Sequence, residues 1–338
     1  MNKIFTMILA VAAAAGTSAS SAQTKWDLPT GFLPTSYITE NVQQFATDLD
    51  KATAGKLKIT LHTNGSLYKL NEIKRAVQTG QVQIAEICLC TGGNENALYA
   101  LDQVPFLTNS YADAYKLHLA AKSATEKLLA AQGIKMLFAV PWPPQGLFTM
   151  KPVASVADFR GTKIRAAHPA GARLAQLLQG QPISINLPEL PQALSTGMVD
   201  VFPTAAVAAL ETKLHEQAKY FYDVKAWMPK NAVVVNLKAF TALDSATQNA
   251  VLKAAAAAEA RGWANSEQKD NQALKDLPGT GLKVETSSAT LMKELGAIGV
   301  TLTAEWRKTA GDEGNAIIDA YNKMLLQADL RPQPYRAR

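Results

Sequence analysis

Apolar side chains recur along this chain with two periods, and the alternation between them outlines the elements. Ile38, Val42, Phe45, Ala46 and Leu49 fall at helical spacing, so residues 36 to about 51 read as an amphipathic helix begun by Thr35 or Ser36. Residues 56–61 (KLKITL) alternate polar and apolar with period two and run into an Asn64-Gly65 turn, the pattern of a half-buried strand. Residues 71–79 return to helical spacing and end at Gly80, and 82–89 form an apolar strand. A helix over 112–132 then leads through Gly133 into a strand over 134–140.

The second half follows the same plan. A strand is expected at 163–165, a helix over 170–179 stopped by Gly180, a strand over 183–187, and a helix over 189–196 stopped by Gly197. The stretch Glu72 to Val82 (EIKRAVQTGQV) aligns with Glu189 to Val199 (ELPQALSTGMV), with Glu, Ala, Thr, Gly and Val at equivalent places. Two similarly built α/β domains explain that coincidence. Residues 245 to about 275 are Ala-rich and charged, interrupted only by Gly262. They predict either one helix of about 30 residues and 45 Å, bracing both domains, or two shorter helices broken at the glycine. With crossings near Gln145 and Val233, the first domain takes 23–145 plus about 235–272, the second takes 146–234 plus about 273–338, and the helix over 245–275 spans both. Two domains hinged about a cleft are the architecture of periplasmic binding proteins.

Composition supports a folded chain. With 338 residues, 48% hydrophobic and 18% charged, it can bury a large core, and a net charge of +6 is too small to favour disorder. Part of the apolar content belongs to the N-terminus, where Lys3, an apolar run over 4–15 and the small residues Ser20-Ser21-Ala22 form a secretory leader. Cleavage is expected after Ala22, which gives a periplasmic protein starting at Gln23. A core helix is the poorer reading, because 16–21 is a run of small residues. Later apolar stretches are all broken by charge, so no membrane span is expected. The basic residues are scattered, except for Arg331, Arg336 and Arg338, and no basic stripe interleaved with aromatics suggests nucleic acid. A mild positive field favours small anions instead.

Several motifs together resemble the substrate-binding proteins of tripartite ATP-independent periplasmic (TRAP) transporters, the dicarboxylate-binding family. They are Asn64-Gly65-Ser66-Leu67 followed by 72–85 (EIKRAVQTGQVQIA), Val104-Pro105-Phe106-Leu107, 158–165 (DFRGTKIR), and Glu189 with 193–200 (ALSTGMVD). The resemblance covers nearly the whole chain after the leader. It implies a two-domain α/β, type II-like binding protein with a long bracing helix, monomeric, which closes on an organic acid anion and delivers it to small and large membrane subunits. It also implies that Arg165, ending the K-I-R strand, pairs with the ligand carboxylate, as a planar guanidinium can through two parallel donors. Two positions depart from the family. Gln145 stands where many relatives carry a second basic side chain, and Thr204 stands where an asparagine is common. Both departures remove charge or polarity. The expected ligand therefore has one carboxylate and an apolar or aromatic body, such as a 2-oxo or 2-hydroxy acid, because a second buried carboxylate would lack a cation. A dicarboxylate or a sugar acid is the alternative. Trp142, Phe148, Phe202 and Trp227 are candidates to line the pocket, with about half of them expected to be core and Trp142 between prolines the strongest.

Cys88 and Cys90 lie on one face of a predicted strand, roughly 6.5 to 7 Å apart, which suggests free thiols at the cleft. Asn94 and His168 are weaker ligand candidates, weighed against a capping loop residue and a solvated loop histidine. Asn186 and Asn231 could supply amide hydrogen bonds, and Glu86 could be buried near Arg165 or lie at the cleft edge. The histidines are isolated, and neither a metal site nor a cofactor motif is recognisable. Nor is there a nucleophile with a base at motif spacing, so an enzyme is not expected. A ligand-presenting sensor is the rival role.

Overall fold

The structure is a computed structural model that describes residues 23–329 apart from Asn186. Residues 1–22, where a leader is expected, Asn186 and the arginines at 331, 336 and 338 lie outside the described residues.

Chain order is β1 (Thr24–Pro29), α1 (Tyr37–Ala52), β2 (Leu57–His62), α2 (Ile73–Gln78), β3 (Ile84–Cys88), α3 (Tyr111–Ala131), β4 (Ile134–Pro141) and β5 (Gln145–Thr149). Then follow β6 (Lys163–Ala166), α4 (Pro169–Leu177), β7 (Gln181–Ser184), α5 (Leu190–Ser195), β8 (Val201–Ala205), α6 (Ala206–Glu211) and β9 (Tyr220–Tyr222). The chain ends with β10 (Lys230–Asn236), α7 (Leu237–Thr241), α8 (Ser245–Asp276), β11 (Lys283–Glu285) and α9 (Ala289–Asp329). In the first half β1 and β2 pair in parallel, and β10 lies antiparallel between β3 and β4. The second half is one six-stranded sheet in the order β11-β9-β5-β8-β6-β7. The repeat read in sequence appears as α2 leading to β3 and α5 leading to β8. In each, the glycine after the helix, Gly80 or Gly197, takes the left-handed conformation (φ 78° and 66°) that a side chain would disfavour.

Besides α8, which leads from β10 to β11, two segments join the halves, and these two bond to each other. Trp142 N donates to Pro229 O (2.7 Å), Gln145 N to Trp227 O (2.9 Å) and Ala226 N to Gln145 O (2.8 Å). The first of these segments contains Gln145. The second lies at 226–229 and not near Val233, which sits inside β10, a strand buried along its whole length in the first-half sheet.

Helix α8 is continuous for 32 residues, about 48 Å, capped by the Asp244 carboxylate accepting from Thr247 N (2.8 Å). Gly262 does not break it. A Cβ there would collide with Val140 and the Asn41 amide, so the glycine serves close packing of α8 on β4 and α1. Asn41 Nδ2 donates to Ala258 O (3.0 Å), and Trp263 Nε1 donates to Ala139 O (3.0 Å). The helix also packs on α6, so it touches both halves. Helix α9 is a second brace. In α9, Gly311 (φ 64°) kinks the helix, and the element packs against α3 and α4; Trp306 Nε1 bonds Ala97 O (2.8 Å) while Glu305 forms an ion pair with Arg173.

The cysteines are disulfide-bonded to each other and not free. The expected spacing assumed that the strand continued through Cys90. Instead β3 ends at Cys88 and the chain tightens into a 3₁₀ turn from Leu89, bringing the Cα atoms to 5.0 Å, within disulfide reach.

Two predictions concern the brace. Gly262→Ala should lower stability by about 1–3 kcal/mol through overpacking, although alanine is the better helix former, as chemical denaturation would measure. Asp270 on α8 is buried, and burial followed by the charge of Asp223 pushes its carboxyl up to about 7. The unfolded carboxyl titrates near 4, so the folded state holds an extra proton between those values and stability falls as pH rises through that window. Asp270→Asn should therefore match the wild type near pH 4 and exceed it by about 1–3 kcal/mol at pH 8, read from thermal unfolding at the two pH values.

Candidate functional site

A cavity of about 900 Å³ opens between the two halves and is lined from both. Phe32 and Trp142 contribute from the first half, Arg165, His168 and Thr204 from the second, and Gln145 and Trp227 from the crossing segments. On the second-half side the cavity lies beyond the carboxyl ends of the parallel strands β6, β7 and β8, where open α/β sheets present ligand sites.

Arg165 is the buried charge of this cavity, at 7% exposure. Its Nε donates to Ile185 O (3.1 Å), just past β7, and its Nη1 donates to Pro203 O (2.9 Å) of β8. Two of five N–H groups thus fix the fork to neighbouring strand backbones. The other three have no hydrogen-bonding partner among the described residues, and no carboxylate there forms an ion pair with the guanidinium. Burial alone lowers its pKa, to about 10, so it remains a cation at neutral pH.

His168 is not a solvated loop residue. It caps α4 ahead of Pro169, and its Nδ1 accepts from Gly171 N (3.1 Å). The ring meets Trp227 edge-on with centroids 5.1 Å apart. Burial, then the charge of Arg165, pushes its pKa down to about 3. Gln145 is held by Nε2 donating to Pro143 O (2.9 Å).

Trp142 stands in the cavity wall, edge-on to Tyr37 and tilted against Phe32 at 5.1 Å. A buried chain of bonds sets its orientation: Trp142 Nε1 donates to Asn231 Oδ1 (3.1 Å), Asn231 Nδ2 donates to Glu86 Oε1 (3.1 Å), and the Thr30 hydroxyl donates to Glu86 Oε2. Glu86 is therefore buried under Trp142, with burial raising its pKa, and its bonds go to Thr30 and Asn231 and not to Arg165. Asn231 supplies an amide to this chain and not to the cavity wall.

Three sequence candidates fall elsewhere. Phe148 and Phe202 face each other across β5 and β8, stacked at 5.0 Å and fully buried, so they are core. Asn94 is exposed in the turn after the disulfide, outside the cavity wall. The disulfide itself does line the cavity, together with Thr91. Phe32, Lys69 and Glu211 also line it and were not singled out. Phe32 and Lys69 flank the Asn64-Gly65 turn, whose backbone returns to bond Thr30 O and Phe32 O, and only that three-dimensional return brings them to the cleft.

Residues 32–307 match the family described as bacterial extracellular solute-binding protein, family 7. The chain belongs to that family. Its two-domain α/β fold is that of TRAP solute receptors. DctP6 of Bordetella pertussis, an extracytoplasmic solute receptor binding pyroglutamic acid, is 46% identical, with 89% of this chain and 100% of that one covered and a TM-score of 0.86. DctP7 of the same organism, also binding pyroglutamic acid, is 39% identical over 88% of this chain and 99% of that one, with a TM-score of 0.86. A marine metagenome TRAP solute-binding protein specific for pyroglutamate is 38% identical over 89% and 99%, again with a TM-score of 0.86. Among curated relatives, a solute-binding protein of Albidiferax ferrireducens is 26% identical over 53% of each chain. The chain spans about half the length of the curated relatives it matches.

With Nδ1 accepting a backbone N–H and the pKa far below neutrality, His168 should be the Nε2–H tautomer throughout pH 5–8. Nitrogen-15 NMR of the ring should show no titration in that range, and a midpoint near 6.5 would contradict the geometry.

Proposed function

We propose that this receptor captures a small organic acid bearing a single carboxylate, of the pyroglutamate type, and hands it to the small and large membrane subunits of a TRAP transporter. The observation that carries this reading is Arg165, a buried cation with three uncommitted N–H donors in the cavity wall and no protein carboxylate paired with it. A carboxylate there gains two parallel charge-assisted bonds in a partly desolvated site. Support for one carboxylate over two comes from Gln145 and His168, which line the same cavity as this arginine and supply a neutral amide and a neutral ring; Lys69, the other cation of the lining, belongs to the first half. Support for pyroglutamate comes from the three receptors at 38–46% identity that bind it. Trp142 and Trp227 supply flat apolar walls for the ligand body, and Thr204 a hydroxyl. A cavity of 900 Å³ far exceeds a nine-atom acid, so binding is completed by closure of the two domains about the paired crossings at 142–145 and 226–229.

Isothermal titration with pyroglutamate, a phenyl-substituted 2-oxo acid and succinate tests the reading: pyroglutamate should bind tightest, and tight succinate binding would overturn it. Arg165→Ala should weaken pyroglutamate binding by about 2–5 kcal/mol, some 30- to 5,000-fold, with thermal stability retained, because the arginine has no buried carboxylate to leave unpaired. Arg165→Lys keeps the charge but loses the fork, and it should also bind poorly.

A further inference from the structure

We propose that His168 is the specificity-determining residue for the neutral end of the ligand: its Nε2–H selects a carbonyl acceptor on the ring, and so a lactam acid over the plain cycloalkane acid. This inference rests on the ligand reading above.

The sequence dictates the first part. Pro169 follows His168, so the histidine takes an extended backbone (φ −157°, ψ 163°) and becomes the cap of α4. Its ring turns back over that helix, and Nδ1 accepts the Gly171 amide at 3.1 Å. An accepting Nδ1 leaves the proton of a neutral ring on Nε2. The ring is held on two sides. Gly171 lies beneath it, close enough that a Cβ there would touch the ring at 3.4 Å, and Trp227 stands edge-on at an interplanar angle of 88°. The imidazole is therefore rigid, and no hydrogen bond among the described residues uses its Nε2–H. His168, Gly171 and Trp227 line the same cavity as Arg165, which lies in the preceding strand β6 three residues upstream.

The charge of the ring decides what it can recognise. Lys69, Arg165, Glu189 and Glu211 are the charged side chains lining the cavity, and of these it is Arg165 that acts on His168, opposing a second positive charge beside it. A second carboxylate placed against this ring would meet only a neutral donor there and lose its hydration without a countercharge. A lactam oxygen needs no countercharge and suits one fixed N–H donor. A ligand with apolar ring atoms in that place would leave the donor unpaired, which is how a site built to hydrogen-bond rejects an analogue lacking the group.

The test is titration calorimetry on the whole protein with pyroglutamate and cyclopentanecarboxylate, for the wild type, His168→Gln and His168→Ala. Each variant is first checked for an intact unfolding transition. The wild type should prefer pyroglutamate by about 10- to 100-fold. His168→Ala should collapse that ratio to within about threefold of one, and His168→Gln, whose amide can donate from a similar place, should keep part of it. The ring Nε2–H resonance of the wild type should also shift on adding pyroglutamate and not on adding cyclopentanecarboxylate. A preference that survives in His168→Ala overturns this inference while leaving the ligand reading intact. Failure of the wild type to bind pyroglutamate overturns the ligand reading and this inference with it.

Discussion

A guanidinium buried without a carboxylate partner is expensive to keep, and the second half of this protein is arranged around one. Arg165 is fixed by two backbone carbonyls from the strands on either side, Ile185 beyond β7 and Pro203 in β8. Backbone acceptors hold the fork in place without neutralising it, so the charge is kept for something that enters the cleft. A salt-bridged arginine would be a weaker receptor, because a ligand would first have to displace the protein's own carboxylate. Burial, and after it this same charge, keeps the His168 ring neutral, so the two basic residues act as one cation and one neutral donor.

The first half supplies shape more than charge. Trp142 is clamped through Asn231, Glu86 and Thr30, residues from β10, β3 and the end of β1, so the orientation of one wall is tied to the strand framework of that half. The disulfide at the end of β3 pins the floor beside it, since Cys88 is the register partner of Asn231. The two crossings, bonded at Trp142, Gln145 and Ala226, carry Trp142, Gln145 and Trp227 of the cavity wall, so the proposed closure would move residues of the proposed site. The braces α8 and α9 each touch both halves from outside the cleft.

Much of the fold was legible because periodicity and glycine caps carry it: α1, α2, α3 and α8 lie close to their expected spans, and the repeat that ends at Gly80 and Gly197 holds. What escaped were elements set by tertiary pairing. The apolar run of β10 has no alternation, because the strand is buried along its whole length between β3 and β4, so its pattern does not distinguish a strand interior from a crossing. In α9 an internal glycine hides a continuous packing surface. At the site, Arg165, Trp142, Gln145, Thr204, Trp227 and His168 do converge on one cavity. Phe148 and Phe202 do not, since an aromatic on a central strand reads the same in sequence whether it faces a cleft or a partner ring. The cysteine pair was misjudged because a strand end, and not a strand, sets their separation.

A crystal structure of the protein with pyroglutamate bound tests the role of Arg165 most directly. Both carboxylate oxygens are expected at about 2.7–2.9 Å from the guanidinium nitrogens left free by Ile185 and Pro203. A ligand carboxylate held elsewhere in the cleft, with those nitrogens in contact with water alone, would contradict it.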